Sequence, residues 1–226
     1  MRGTVKAKRI ASLAFLSLTV AVGALAAPAM ASAVTIQGAS SGNPIAVGAE
    51  LTASGKLVFT LSTGVQLLCE SNVIEGTVSA NGGTSATVTV ENGALTGGGA
   101  LPGSCPSNIG APVFWTTNLD EGATWALHLL GGGSWTLTNL QFTATFITGP
   151  NPGEQVSCTF RGAEEEEGGG IGMITGSYSE APALTELFPE NAGFTLVAGP
   201  APLCGASGTL AGELETESEG EAIVVS

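Results

Sequence analysis

The chain has 226 residues, of which 34 are glycine and only 11% are charged, with 19 acidic residues against 6 basic ones. Four of the basic residues, Arg2, Lys6, Lys8 and Arg9, crowd into the first nine positions, so residues 34–226 hold two basic against 19 acidic residues, a formal charge of −17. Such a surface repels nucleic-acid phosphates and anionic membranes, whose binding depends on Lys and Arg displacing counterions. Both partner classes are set aside. What remains is solubility and a loose attraction for cations, for a basic protein surface or for a cell-envelope polymer.

In chain order, the basic n-region is followed by an uncharged, mostly apolar run from Ile10 to Ala27, and Ala31-Ser32-Ala33 offers the small-x-small pattern of a signal-peptidase site. The pattern predicts a signal peptide over residues 1–33, cut after Ala33, with Ala29-Met30-Ala31 as a second possible site. The run approaches the ~20 residues that span a bilayer, but Pro28 and the Ala-rich tail favour cleavage over an anchor. Residues 34–226 then form a single secreted β domain.

Within that domain a stretch occurs twice. Gly64-Val65-Gln66-Leu67-Leu68-Cys69 is echoed by Gly153-Glu154-Gln155-Val156-Ser157-Cys158, and each copy leads through a β-branched run to a second cysteine, Cys105 and Cys204. Four cysteines in an exported chain predict disulfides. Closure entropy does not choose among the three pairings: about 3.8 kcal/mol for Cys69–Cys105 against about 4.6 for a crossed Cys69–Cys158 is too small a gap. The repeat does choose. It predicts Cys69–Cys105 and Cys158–Cys204, each clamping one pseudo-repeat (about 50–110 and 140–226).

The predicted strands alternate. Lys56–Leu61 puts Leu57, Phe59 and Leu61 on one face; Asn72–Ala80 and Ser85–Val90 follow, separated by Asn81-Gly82-Gly83, a strong turn signal. The central stretch puts Trp125, Leu127 and Leu129 on one face, turns at Gly131-Gly132-Gly133, and returns through Ser134–Thr138 and Leu140–Ile147. Further strands are read at Val156–Arg161, Ile171–Ser179, Gly193–Ala198, Ser207–Leu214 and Ala222–Val225, with a hairpin turning at Ser218-Glu219-Gly220. A short helical turn is expected at Ala183–Phe188. The fold class is all-β, an antiparallel sandwich or barrel of about a dozen short strands.

Candidate chemistry is sparse. Glu164–Glu167 between glycines lacks the fixed oxygen spacing of a calcium loop and reads as a solvated segment. Glu213, Glu215, Glu217, Glu219 and Glu221 alternate, which suits a charged strand face guarding an edge, or a weak cation or basic-partner site. His128 and Asp120 are the only His and Asp, without a nucleophile elbow, so a Ser–His–Asp triad is not expected. Neither a metal centre nor a cofactor is expected, because there is no C-x-x-C and one histidine. Trp115 and Trp135 are the candidate ligand platform, an indole face on which a sugar would stack; as core anchors, each would bury ~150–250 Å² instead.

Leu68-Cys69, Gly76-Thr77-Val78, Cys105, Thr124-Trp125-Ala126-Leu127, Ser157-Cys158, Gly162, Gly176-Ser177-Tyr178, Leu203-Cys204-Gly205 and Ile223-Val224-Val225 together resemble a group of uncharacterised secreted, two-disulfide, β-rich actinobacterial proteins. The resemblance implies no activity and no site residue. The expected function is that of a secreted, non-enzymatic structural or binding protein of the extracellular space or cell envelope. The alternatives are a carbohydrate- or wall-polymer-binding module and, further off, an extracellular hydrolase using paired glutamates.

Overall fold

A computed structural model describes residues 33–149, 154–163, 172–179, 186–189 and 192–226. Residues 1–32 of the expected signal peptide and the Glu164–Glu167 run lie outside these residues. In chain order the strands are β1 (Ile36–Gly38), β2 (Glu50–Leu61), β3 (Gln66–Ala80), β4 (Ser85–Ala94), β5 (Val113–Thr117), β6 (Trp125–Leu130), β7 (Ser134–Thr138), β8 (Gln141–Ile147), β9 (Gln155–Gly162), β10 (Ile174–Tyr178), β11 (Glu186–Phe188), β12 (Ala192–Ala198), β13 (Ser207–Ser218) and β14 (Glu221–Val225). Among the described residues a 3-10 turn spans Asn118–Glu121 and a helical turn, α1, spans Ala201–Cys204. The fold is all-β, and every strand pairing is antiparallel.

The sheet curls until it meets itself. Pairing runs β2–β3–β4–β6–β7–β10–β11, and β11 then pairs β13, which pairs β2. This is a ring of eight strands. A second curl leaves β13 through β12, β9, β8 and β5, and is drawn back to β3 by the segment after Cys105: Cys105 bridges Val113 and Ser107 bridges Leu67. Strands β2, β3 and β13, at 12, 15 and 12 residues, therefore serve both walls. The strands predicted at Lys56–Leu61 and Asn72–Ala80 are pieces of these longer ones.

The chain needs special residues at the waist between the two curls. The β2–β3 register shifts between Gly55 and Leu57. A Cβ on Gly55 would collide with the Glu213 carbonyl oxygen, and one on Gly212 with the Lys56 carbonyl oxygen, so the β2–β13 crossing is too close for any other residue. The buried Asn72 amide donates to the carbonyls of Gly55, at 2.9 Å, and Cys69, at 2.8 Å. It thus satisfies acceptors that the bulge takes out of the ladder.

The second barrel is filled with rings. Phe59, Phe142, Phe160 and Phe194 are almost wholly buried, and Phe160 and Phe194 meet edge-on at 5.0 Å between centroids, Phe142 and Phe194 at 5.3 Å. The disulfides are Cys69–Cys105 and Cys158–Cys204, the pairing the repeat predicts. Both staple this same barrel: one ties β3 to the segment leading into β5, the other ties β9 to α1. The two pseudo-repeats are not separate bodies, since β2 and β3 from one and β13 from the other lie side by side.

The far end of the first barrel is capped. β13 turns into β14 at Glu219-Gly220, both at positive φ (52° and 78°), the type I′ geometry of a two-residue hairpin. β14 pairs with β1, which buries Val34, Ile36, Ile223 and Val225. The Glu221 carboxylate accepts the backbone N–H of Ser40 at 2.8 Å and of Ser41 at 2.7 Å, pinning the chain after β1 to β14.

One local expectation needs correction. The described part of Ala183–Phe188 is strand, not helix: Glu186–Phe188 is β11, held between β10 and β13. The helical turn falls at Ala201–Cys204 instead, where proline sits in the first turn and no amide donor is required there.

Candidate functional site

The first barrel holds a cavity of about 100 Å³. Alternation in its strands creates it. On β13, Leu214 and Thr216 face inward while Glu213, Glu215 and Glu217 are exposed. On β6, Trp125 and Leu129 are buried, as the sequence predicts. Eight strands enclose an interior that side chains either fill or leave open for one small molecule. Here aliphatic residues stop short of filling it. Phe59, Phe142 and Leu210 form the floor at the waist, Leu137 and Ile174 lie along one wall, and Ile223 of the cap stands at the far end.

The polar handles of the aromatic lining are tied into the wall. Trp125 Nε1–H donates to Asn118 Oδ1 at 2.7 Å, and Trp135 Nε1–H donates to the Ser177 carbonyl at 2.7 Å. The buried Tyr178 hydroxyl donates to the Leu130 carbonyl at 2.7 Å beside them. The indoles thus turn only their apolar faces to the lumen. Among the described residues no charged side chain lines it, and of the two threonines in the lining Thr216 faces inward, while Thr52 shares the outer face with its partners Glu75 and Glu217. An apolar cavity of this kind stays dry, and one of about 150 Å³ takes up benzene or xenon.

The residues singled out from sequence fall elsewhere or play another part. Trp135 is 4% exposed, so it offers no face at the surface for a sugar and instead lines the lumen. Trp115 is partly buried, its ring 4.2 Å from Phe59 and 5.4 Å from Phe142, with Nε1 buried and lacking a hydrogen-bond partner. The two indoles belong to different barrels and do not form one platform. Cys69, Cys105, Cys158 and Cys204 are all in disulfides. His128 Nδ1 is 3.2 Å from Thr87 Oγ1 on the outer wall, and the Asp120 carboxylate accepts the Thr117 N–H at 2.7 Å, so each is engaged locally.

Glutamates gather at one place the sequence did not indicate. Glu50, Glu75 and Glu91 edge a shallow cleft of about 180 Å³ outside the β2–β3–β4 wall, where Glu75 accepts from the Asn92 amide at 2.8 Å. Register across three strands brings them together, which the separate positions in the chain do not reveal. Among the described residues no three carboxylate, histidine or cysteine groups converge so as to hold a metal ion, and no helix is long and apolar enough to cross a membrane. The lumen was missed for a different reason: alternation tells which residues face inward, not whether they meet.

Fold and site together define an antiparallel β-barrel protein with an apolar lumen, joined through shared strands to a disulfide-stapled aromatic core. Compared with protein-family models, with curated proteins and with solved structures, the chain finds no match.

Proposed function

We propose that this chain is an exported, non-enzymatic binding protein that holds a small apolar molecule in the lumen of its first barrel. The observation that carries the reading is the contrast between two neighbouring interiors: one in which phenylalanine rings meet edge to face, the other left open and lined by hydrocarbon. Well-packed cores leave few voids larger than water, and an unfilled one costs stability. A void retained inside one barrel is accounted for by an occupant. The predicted signal peptide and the two disulfides support action outside the cell, in the extracellular space or the cell envelope, where thiols oxidise. The acidic exterior supports solubility there.

Titration of the purified chain with benzene and with xenon, followed by thermal unfolding, tests the reading. Saturation at 100 times Kd raises stability by about 2.7 kcal/mol. A midpoint unmoved by these two probes and by n-pentane sinks it. Saturable turnover of an ester, peptide or glycan substrate would overturn the non-enzymatic part.

A further inference from the structure

We infer that the lumen selects small uncharged hydrocarbon ligands and rejects the corresponding carboxylates. The inference rests on the lumen-binding reading and specifies its chemistry. A carboxylate inside would need a cation or several donors, because a buried unpaired charge costs far more than hydrocarbon contact returns. The lining supplies neither. Both lining indoles spend their N–H groups on the wall, Trp125 on Asn118 and Trp135 on Ser177. Among the described residues the cations are Lys56 and Arg161, and both are exposed on strand exteriors. The field outside is adverse too. Glu213, Glu215 and Glu217 stud the outer face of β13, and Glu50, Glu75 and Glu91 the outer face of the β2–β3–β4 wall. An anion is therefore opposed at every stage of approach.

Isothermal titration of the full chain at neutral pH with n-pentane and with pentanoate tests this. Pentane is expected to bind with heat and to raise the thermal midpoint. Pentanoate is expected to bind at least about 100-fold more weakly. Two filling variants on opposite walls, Val90→Phe and Ile174→Phe, are each expected to abolish pentane binding with the midpoint of the free protein held or raised; if one fails to fold, the other carries the test. Equal binding of pentane and pentanoate overturns the selection for uncharged ligands and leaves the lumen reading standing. No binding of pentane, benzene or xenon overturns the lumen reading itself. Pentane binding that survives a folded filling variant places the site elsewhere and overturns both.

Discussion

At the scale of single residues, the two interiors respond differently to loss of volume. Phe160 is fully buried and meets Phe194 at 5.0 Å and Phe142 at 5.6 Å, so its neighbours have nowhere to collapse. Phe160→Ala is expected to cost about 3–5 kcal/mol in a denaturant titration. In the lumen the sign reverses for added volume: Val90→Phe fills space already present, where the same enlargement in a packed core costs about 1–3 kcal/mol. Asn72 is the polar counterpart. Its amide serves two carbonyls at the β2 bulge, so Asn72→Ala leaves buried acceptors unmet and is expected to destabilise by about 1–3 kcal/mol for each. A chemical-denaturation midpoint unchanged in Asn72→Ala would mean the bulge is held by backbone alone. None of this was readable from position 72 itself. Asn72 reads in the sequence as the start of a strand, and its role appears only once the β2 register shift is known.

At the scale of elements, the cap of the first barrel depends on a carboxylate. Hydrogen bonds from the Ser41 and Ser40 amides hold the Glu221 carboxyl below its ordinary value of 4.5. A group whose pKa is lowered by folding contributes stability above its unfolded pKa and loses it as pH falls through the folded value. Amide exchange at Ser40 and Ser41 is therefore expected to stay slow from neutral pH down to about the unfolded carboxylate range and to accelerate below it. Glu221→Gln should show the fast behaviour, relative to intrinsic rates, at every pH. Equal protection in wild type and variant at neutral pH would remove the carboxylate from the cap. Much at this scale was legible beforehand. The hairpin at Ser218-Glu219-Gly220 follows from Glu-Gly between alternating runs, and the inward faces of Leu57-Phe59-Leu61 and Trp125-Leu127-Leu129 follow from period two. What failed was β11. Three residues ahead of a proline carry no periodicity of their own, and their strand state is imposed by the open edges of β10 and β13.

At the scale of the whole molecule, the sequence pattern suggests two stapled halves, and the chain instead builds two barrels that exchange strands. The echo of Gly64–Cys69 in Gly153–Cys158 led correctly to the cysteine pairing, yet both bridges brace one barrel, and the other, with the lumen, has none. The question is whether the unbraced barrel opens by itself. Strands β2, β3 and β13 argue against it: each passes through the waist without a break, and the closest approach there, at Gly55 and Gly212, is backbone against backbone. Melting the lumen barrel requires β2, β3 and β13 to fray into the wall of the aromatic one. Native-state hydrogen exchange in rising denaturant should then find the amides of β6 and β7, in the lumen barrel, converging on the same opening free energy as those of β8 and β9 in the stapled barrel. Reduction of the disulfides should lower both together, by about 2–5 kcal/mol per bridge, although no sulfur touches the lumen. A lumen barrel that exchanges through its own, lower-energy opening, indifferent to the reductant, would show that the shared strands do not couple the two interiors.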